Sequence, residues 1–471
     1  MITARAFAGK HYAVYGLARS GIATVEALLA SGARVTAWDA SEEARNKLLP
    51  GTGRWQRVAL TEGGLSPARR PLHHPADGPP PRSGEDLEIA DLDKIELTQF
   101  DSLIVTPGLP LNRHPIARRA REAGTEIIGD IELFARARPE LPPHKVVGIT
   151  GTNGKSTTTA LVHHILQTAG VPSAMGGNIG LPILAQDPLP EGGVYVLELS
   201  SYQLDLTQSL DCDVAVLLNI TPDHLDRYKS FEAYAASKIR LFQMQSGGNV
   251  SITTEAGFDI PRFSSLQAHL EAQVGAAVVE GVPYFRPMKI AEAQRNWPSL
   301  QGPHNLQNAV AAWLTGDDLG LSEDQIEQGL RTYPGLPHRM ERVAEKDGVV
   351  FVNDSKATNP TATAPALAAF ERIRWICGGQ AKIDSLDECA PYFDHVRKAY
   401  TIGEAGELFA SLLSPHINVA ECETLERAVG EAAKEAEAGD TVLLSPACAS
   451  FDQFRDFEDR GDRFKELVGA L

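Results

Sequence analysis

Short apolar runs alternate with longer stretches of helical periodicity along most of this chain. The first third predicts strands at His11–Tyr15, Arg34–Trp38 and Ser102–Val105, with a helix over residues 22–31. Further strands are predicted at residues 145–149, 194–199, 214–219, 349–352, 373–377, 398–402 and 441–444. Strands that alternate with helices are typical of α/β proteins whose sheets are mainly parallel.

Breaks in this pattern predict three domains, within the two to four that a length of 471 residues favours. Clustered prolines make residues 132–144 a predicted linker, and residues 333–337 form a turn-rich hinge. We therefore predict a Rossmann-like domain at 1–140, a central P-loop ATPase-like domain with a parallel sheet and flanking helices at 141–334, and a second Rossmann-like domain at 335–471. Residues 61–86, rich in Pro, Gly, Arg and His, predict a loop or disordered insertion.

Composition narrows the class of protein. A formal net charge of −17 disfavours nucleic acid and anionic membranes as partners, although backbone N–H groups can still bind a small anion. The five cysteines show no CxxC spacing and are interpreted as buried thiols of a reducing compartment. No signal pattern opens the chain, and no apolar run reaches the ~18 residues of a membrane span. These features predict a soluble cytoplasmic protein.

A glycine-rich segment between a predicted strand and a predicted helix indicates phosphate binding. It reads Gly151-Thr152-Asn153-Gly154-Lys155-Ser156-Thr157. Backbone N–H groups of such a turn can surround phosphate oxygens, with Lys155 reaching the β/γ-phosphates and the Ser156 hydroxyl holding Mg²⁺. Ile149 stands where a strict P-loop has its first glycine. We nevertheless predict an ATP site.

A second glycine-bearing turn, at residues 16–21, is followed by Asp39 and imitates a dinucleotide fingerprint. Ala18 replaces the glycine that permits close approach of a pyrophosphate, so NAD binding is disfavoured.

Several motifs together resemble the Mur ligase family. They are TGTNGKST at 150–157, GGNIG at 176–180, LELSS at 197–201, NITPDHLD at 219–226, Lys238, HNLQN at 304–308, NDSKATN at 353–359 and SPACASFDQF at 445–454. The last two resemble the branch of the family that adds D-glutamate, and the Asn-Pro-Arg motif of the diaminopimelate- or lysine-adding branch is not found. The resemblance covers nearly the whole chain apart from residues 61–86.

The resemblance implies an amide ligase that consumes ATP. Its substrates would be UDP-N-acetylmuramoyl-L-alanine and D-glutamate, joined through an acyl phosphate in peptidoglycan synthesis, by a monomer that uses a pair of Mg²⁺ ions. Glu198 and His224 would be metal-associated, together with Ser156. Lys238 would be carbamylated and become an anionic metal ligand, which requires a depressed pKa. From the residues alone, His224 reads as a hydrogen-bonded structural residue and Lys238 as a solvated surface lysine.

The remaining implied roles fall into three sets. Besides the phosphate loop, the ATP set is Asn305, Asn308, Arg339 and Asp354. The set for the UDP-linked substrate is Arg19, Ser20, Asp39, Thr106, Gly108 and Asn178. The D-glutamate set is Lys356, Thr358, Lys382, Ser450 and Phe457. Most rings of the Phe-rich stretch 451–457 are expected only to pack in the core, and Ala40-Ser41 depart from a Thr-Arg pair that is common in the family.

Three other functions are alternatives to the ligase. A folylpolyglutamate-synthase-like enzyme shares the phosphate loop but would lack the UDP-binding first domain. A non-catalytic relative predicts loss of Lys155, Glu198, His224 or Lys238, and all four are present. A dehydrogenase built on the first block conflicts with Ala18 and with the phosphate loop.

Overall fold

The computed structural model describes residues 1–48, 86–224, 227–253, 293–381 and 383–471. The predicted insertion at 61–86 lies outside these residues, apart from Asp86. The helices are α1 Arg19–Ala30, α2 Glu42–Asn46, α3 Pro115–Ala123, α4 Asp130–Ala137, α5 Lys155–Thr168, α6 Ser201–Asp205, α7 Phe231–Gln243, α8 Pro303–Asp318, α9 Glu323–Thr332, α10 Pro360–Ala368, α11 Gly406–Leu413, α12 Leu425–Glu435 and α13 Phe457–Ala470. The α/β class is confirmed.

The strands form three sheets. They are β1 His11–Tyr15, β2 Arg34–Trp38, β3 Leu87–Ile89, β4 Ser102–Val105, β5 Glu126–Ile128, β6 His144–Thr150, β7 Ser173–Gly177, β8 Gly193–Glu198, β9 Val214–Leu217, β10 Val250–Thr253, β11 Glu341–Lys346, β12 Val349–Asn353, β13 Ile373–Gly378, β14 Val396–Ile402, β15 Val419–Glu423 and β16 Thr441–Leu444. None of the described helices has both the length and the apolar character needed to cross a membrane.

The first sheet has the order β3-β2-β1-β4-β5 and is parallel throughout. This is the strand order of a Rossmann-type sheet. The helix α1 begins at Arg19, three residues before the predicted start, because the turn after β1 is already complete there. A Cβ atom on Gly21 would lie 1.9 Å from the Gly16 carbonyl oxygen, so the first turn of α1 packs directly on the end of β1.

The second sheet has the order β10-β9-β6-β8-β7 and is also parallel. Its central strand β6 pairs with β8 on one side and β9 on the other. The carboxyl ends of these three strands meet at one edge, where ligands bind in open α/β sheets.

The third sheet has the order β11-β12-β16-β13-β14-β15, in which only the β11–β12 pair is antiparallel. Two apolar clusters, one containing Trp375 and Phe409 and the other Tyr400 and Phe464, make up its core. Loops after β12, β13, β14 and β16 gather at its carboxyl edge.

The described residues divide into two compact units. One contains residues 1–48, 86–224, 227–253 and Val310–Ile326, and the other contains residues 293–309 and Glu327–Leu471. The two parallel sheets belong to the first unit, where one apolar cluster joins Tyr12 of β1 to Tyr195 of β8. The proposed domain limits at 140 and 334 stay predictions.

The predicted linker at 132–144 is wrong for most of its length. Helix α4 continues to Ala137 and a 3₁₀ turn follows at Arg138–Glu140. Glu132 is buried, and its Oε2 atom accepts hydrogen bonds from the Gln208 and Ser209 N–H groups. This long-range contact orders a segment whose prolines alone suggested a break.

Candidate active site

The phosphate loop occupies residues 151–154, between β6 and α5. Gly151 has φ 154° and Gly154 has φ 82°, conformations that favour glycine. Helix α5 begins at Lys155, so Lys155, Ser156 and Thr157 form its first turn. The N–H groups at a helix start, beside a glycine-rich loop, form a site for an anion.

Asn219, which follows β9, fixes the shape of this loop. Its side-chain Oδ1 accepts from the Asn153 N–H at 2.8 Å, and its backbone oxygen accepts from the Thr152 N–H at 2.8 Å. The Thr152 hydroxyl lies 3.0 Å from the hydroxyl of Tyr234 on α7. The loop is therefore held from a neighbouring strand and a neighbouring helix before any ligand binds.

Two lysine side chains meet at one carbonyl oxygen of the loop. Lys155 Nζ donates to Gly151 O at 2.9 Å, and Lys238 Nζ donates to the same oxygen at 2.8 Å. Lys238 is 2% exposed, so the reading as a solvated surface lysine is wrong. Burial, helped by the charge of Lys155, lowers the pKa of Lys238 to about 7. The amine is therefore partly neutral at physiological pH.

Glu198 ends β8 at the same edge of the sheet. It is 2% exposed, and its Oε1 atom accepts from Asn178 Nδ2 at 3.0 Å. Its Oε2 atom is buried and has no hydrogen-bond partner within the described ranges. A buried carboxylate oxygen without a donor is costly, and a hard cation would satisfy it. Asn178, predicted for the substrate, thus also orients the predicted metal ligand.

His224 lies in a left-handed backbone conformation with φ 53°. Its N–H donates to Asp223 Oδ1 at 2.8 Å, and its half-exposed ring lies 4.9 Å from the Tyr202 ring and 6.1 Å from the Tyr234 ring. The Tyr234 ring also lies 4.7 Å from Lys238 Nζ. His224 and the buried lysine therefore share Tyr234 as a neighbour.

Across the described ranges, no three His, Cys, Asp or Glu side chains are grouped to hold a metal ion. The predicted set of ligands is of another kind, since it combines the Ser156 hydroxyl, Glu198, His224 and a modified Lys238. The unpartnered Glu198 oxygen fits that set. Metal binding itself stays a prediction.

Two of the residues predicted for the UDP-linked substrate, Thr106 and Asp39, lie against the turn after β1. Gly16 has φ 98°, and a Cβ atom there would lie 2.3 Å from Thr106 Oγ1. Asp39 Oδ2 accepts from the Leu17 N–H at 2.7 Å, and Asp39 Oδ1 accepts from the Ser41 N–H at 2.8 Å. Asp39 therefore shapes the turn, whatever it binds in addition.

The other residues of this set lie on nearby segments. Arg19 Nη2 donates to Gly180 O at 3.1 Å, which brings α1 to the 176–180 loop. Ser20 is the second residue of α1, and Gly108 is exposed in the turn after β4. Both parallel sheets thus contribute to one polar edge of the first unit.

In the second unit, Asp354 follows β12 and is 6% exposed. Its carboxylate accepts from the Met340 N–H at 3.2 Å and from Ser445 Oγ at 2.8 Å. Burial raises the pKa of Asp354 to about 7, against the opposing effects of Ser445, Met340 and Arg339. Asp354 joins the carboxyl ends of β12 and β16.

Arg339 lies between two residues with positive φ, His338 at 62° and Met340 at 48°. Non-glycine residues adopt this conformation only when their surroundings require it. The His338 N–H donates to Glu341 Oε2 at 2.9 Å, and Asn353 Nδ2 lies 3.1 Å from His338 Nδ1. These contacts direct the backbone on which Arg339 is presented.

Asn305 and Asn308 lie in the first turns of α8. Both are buried, and Asn308 Nδ2 donates to Asn305 Oδ1 at 3.2 Å.

The residues predicted for D-glutamate gather in part. Lys356 Nζ lies 5.0 Å from the Phe457 ring, and the Phe457 carbonyl accepts from Ser355 Oγ at 2.8 Å. Ser450 is 2% exposed in the loop after β16, and Thr358 is half-buried in the loop before α10. Lys382 lies outside the described residues.

The expectation that the phenylalanines of 451–457 pack in the core is wrong for Phe451, whose exposure is 67%. Phe454 does pack against an apolar cluster. Phe457 instead contacts Lys356 and lies 6.1 Å from His338. In the loop that contains Phe451, the Phe454 N–H donates to Ser450 O at 2.8 Å.

Arg460 was not predicted and is central to this unit. It is completely buried on α13, and its guanidinium donates to Ser355 Oγ, Ser355 O, Ala449 O and Cys448 O at 2.8 to 3.2 Å. It thereby joins the loop after β12 to the loop after β16. Burial lowers the pKa of Arg460 to about 10, so it stays charged at neutral pH.

Asn219 and Tyr234 were also missed as site residues. Tyr234 stands four residues before Lys238, the spacing of neighbours on one helix face, and this signal could have identified it. Asn219 belongs to a recognised motif but received no role. No sequence signal identifies Arg460, whose acceptors are up to 105 residues away.

Comparison with known proteins gives matches over most of the chain. Residues 149–316 match the Mur ligase middle domain, and residues 338–448 match the glutamate ligase domain of Mur ligases.

Two of the most similar relatives are both named UDP-N-acetylmuramoylalanine–D-glutamate ligase. The protein of Novosphingobium aromaticivorans is 56% identical over 100% of this chain and 97% of its own length. The protein of Sphingopyxis alaskensis is 53% identical, with 100% of both chains covered.

Among solved structures, UDP-N-acetylmuramate-alanine ligase from Thermotoga maritima superimposes with a TM-score of 0.54 at 17% identity, covering 98% of this chain and 99% of the other. At that identity the likeness concerns the fold alone.

Proposed function

The chain belongs to the Mur ligase family, and we propose that it joins D-glutamate to the L-alanine carboxylate of UDP-N-acetylmuramoyl-L-alanine with consumption of ATP. The observation that carries the proposal is the arrangement at Gly151 O. Two lysines, one of them buried, donate to this oxygen of a preformed phosphate loop, and the neighbouring strand ends in a buried carboxylate with one unpartnered oxygen. Full-length relatives named for this reaction support the choice of substrates.

The reaction has two steps. The L-alanine carboxylate attacks the γ-phosphorus of ATP, which forms an acyl phosphate and releases ADP. The neutral amine of D-glutamate then attacks the acyl carbon, phosphate leaves, and the amine gives up a proton as the amide forms. Catalysis of such transfers is mostly positioning and neutralisation of charge.

The residues at the carboxyl edge of the second sheet suit the first step. Lys155 and the N–H groups at the start of α5, which begins at Lys155, are proposed to neutralise phosphate charge. Bound Mg²⁺ would supply charge neutralisation at the transferring phosphoryl group, and Glu198 Oε2, Ser156 Oγ and His224 are the groups that would hold it. Asn305, Asn308, Arg339 and Asp354 complete the proposed ATP set.

Lys238 is proposed to be carbamylated. The Lys238 ammonium first loses one proton. The neutral Nζ then attacks carbon dioxide, a nitrogen–carbon bond forms as one C=O π bond opens, and a second proton leaves the nitrogen, so that a buried cation becomes an anion. The buried position beside Gly151 O and the lowered pKa both support this reaction, since only the neutral amine is a nucleophile.

The second step takes place at the acceptor amino acid. Lys356, Thr358, Lys382, Ser450 and Phe457 are proposed to hold the two carboxylates of D-glutamate. The UDP-linked substrate is proposed to be held by residues near Gly16 and Glu198. They are Arg19, Ser20, Asp39, Thr106, Gly108 and Asn178.

Phosphate release measured with three acceptors tests the proposal. We expect release with UDP-N-acetylmuramoyl-L-alanine, ATP and D-glutamate, and none with L-glutamate or meso-diaminopimelate. Lys155→Ala should abolish it. Lys145→Ala is the matched control, because Lys145 is an exposed lysine on the same strand β6 and should leave the rate unchanged. Release with another acceptor alone would overturn the assignment of D-glutamate, and no release with any acceptor would overturn the ligase.

We further propose that the enzyme acts in the cytoplasm as a monomer on these small molecules, without nucleic acid. The five cysteines, all free and buried, are compatible with a reducing compartment.

A further inference from the structure

Arg227 connects the turn after β4 to the segment after β9. Its Nη1 atom donates to Gly108 O at 3.2 Å, and its Nη2 atom donates to Pro107 O at 3.3 Å and Leu109 O at 3.0 Å. A single guanidinium therefore gathers three consecutive carbonyl oxygens. A planar, branched cation suits this task because its donors diverge from one fixed plane.

The other contacts of Arg227 lead toward His224. The Arg227 N–H donates to His224 O at 2.9 Å, and the guanidinium carbon lies 3.9 Å from the centre of the Tyr202 ring. The same ring lies 4.9 Å from His224. Tyr228, the next residue, donates its hydroxyl to Asp205 Oδ2 at 2.7 Å. These contacts fix the backbone of Arg227 beside His224 and its guanidinium beside Tyr202.

The geometry of the peptide bond gives this contact a chemical consequence. In a trans peptide the C=O of Pro107 and the N–H of Gly108 point in opposite directions. With a cation at the oxygen, the N–H is directed away from Arg227 and is polarised as a donor. Gly108 is exposed, and its N–H has no acceptor in the described part of the chain. The Leu109 N–H, by contrast, closes the turn on Thr106 O at 3.0 Å.

We propose that Arg227 is a positioning residue that presents the Gly108 N–H to the diphosphate of the nucleotide-sugar substrate and fixes this turn relative to His224. The inference rests on the proposed function, which assigns Thr106 and Gly108 to that substrate. Arg227 does not itself contact the diphosphate, because its donors face the carbonyl side of the turn.

Arg119 offers a matched control for the chemistry of this contact. On α3, its Nη1 atom donates to Leu92 O at 2.7 Å and its Nη2 atom to Ile95 O at 2.6 Å. It is also a half-buried arginine that gathers backbone carbonyls in the first unit, but those carbonyls belong to no proposed substrate segment.

The test is calorimetric binding of UDP-N-acetylmuramoyl-L-alanine, and separately of a non-hydrolysable ATP analogue, to the full chain and to Arg227→Ala, Arg227→Lys and Arg119→Ala. We expect Arg227→Ala to weaken binding of the nucleotide sugar about tenfold, as the loss of charge-assisted hydrogen bonds predicts. Arg227→Lys keeps the charge but donates from a single point, and we expect a loss of about threefold. Affinity for the ATP analogue should change less than about twofold, and Arg119→Ala should bind both ligands like the parent.

Equal affinity of the parent and Arg227→Ala for the nucleotide sugar would overturn the inference, as would a parallel loss of affinity for the ATP analogue or the same loss in Arg119→Ala. If Arg227→Ala does not fold, judged by its thermal transition, the comparison of Arg227→Lys with the parent decides in the same way. Phosphate release by the parent separates the two claims. A parent that binds the nucleotide sugar but releases no phosphate contradicts the proposed ligase, while the ratio of affinities still decides the role of Arg227. A parent that binds no nucleotide sugar contradicts both.

Discussion

Two buried cations show how differently the two units treat charge. Lys238 donates to Gly151 O and has a pKa lowered to about 7, whereas Arg460 donates to four neutral oxygens and remains charged. The carboxylates follow the same division. Glu198 keeps one oxygen without a partner, but both oxygens of Asp354 accept hydrogen bonds. At the carboxyl edge of the second sheet, polar groups keep capacity to bind or react. At the carboxyl edge of the third sheet, polar groups hold the loops together.

The largest effect is expected at Lys238. Neither Lys238→Ala nor Lys238→Arg can form a carbamate, so both should lower kcat by about a thousandfold, comparable with the loss of a major electrostatic group. Labelled bicarbonate followed by carbon NMR should give a carbamate signal in the parent and none in either variant. An active Lys238→Arg enzyme would show that charge, and not modification, is what this position supplies.

At Arg460 we expect loss of stability first. Arg460→Met keeps the length of the side chain but removes one donor from each of four buried oxygens, of which Ala449 O still accepts from the Gln380 N–H. The free energy of unfolding should therefore fall by about 3 kcal/mol. Urea unfolding, followed by a spectroscopic signal from the second unit, measures this change in the free energy of unfolding. Arg463→Met on the same helix removes only exposed ion pairs, with Glu426 and Glu466, and should cost less than about 1 kcal/mol. Equal losses in the two variants would contradict a structural role for Arg460.

A smaller, pH-dependent effect is expected at Asp354. Its folded pKa of about 7 lies above the unperturbed value of 3.8, so between these values the folded state binds more protons than the unfolded state. The free energy of unfolding should therefore fall as the pH rises from about 4 to about 7. In Asp354→Asn this contribution should be absent. Unfolding curves of both proteins across that range check it, and parallel pH profiles would contradict the raised pKa.

The smallest effect is expected at Phe451. Because its ring is exposed, Phe451→Ser should change the free energy of unfolding by less than about 0.5 kcal/mol. Phe464→Ala, in the core beneath the third sheet, is the contrasting substitution and should cost about 3 to 5 kcal/mol. A loss at Phe451 near that of Phe464 would show that the ring packs after all.

Local patterns were sufficient for much of the fold. The apolar runs of β1, β2, β4 and β16 predicted these strands to the residue, because a buried strand is continuous in sequence. The segment 132–144 failed for the opposite reason. Its helix is stabilised by the contacts of Glu132 with residues 76 and 77 positions away, which no local pattern reveals.

The candidate site divides in the same way. Lys155 belongs to a glycine-rich turn that follows a predicted strand, and Glu198 stands near the end of another predicted strand, so both could be identified from position. The burial of Lys238, which changes its chemistry, depends on Gly151, 87 residues away. The contacts of Arg227 and Arg460 span 118 to 120 and 11 to 105 residues, and they became visible only in the folded chain.

The place of β16 in its sheet has a consequence for synthesis of the protein. Strand β16 lies between β12 and β13, yet the ribosome makes it after β15. At a synthesis rate of roughly 5 to 20 residues per second, several seconds pass between the synthesis of β13 and that of β16, and during this time the strand that pairs with both β12 and β13 is missing. During translation the third sheet exists as two separate pieces with exposed edges, and this is the interval in which a chaperone would have something to protect.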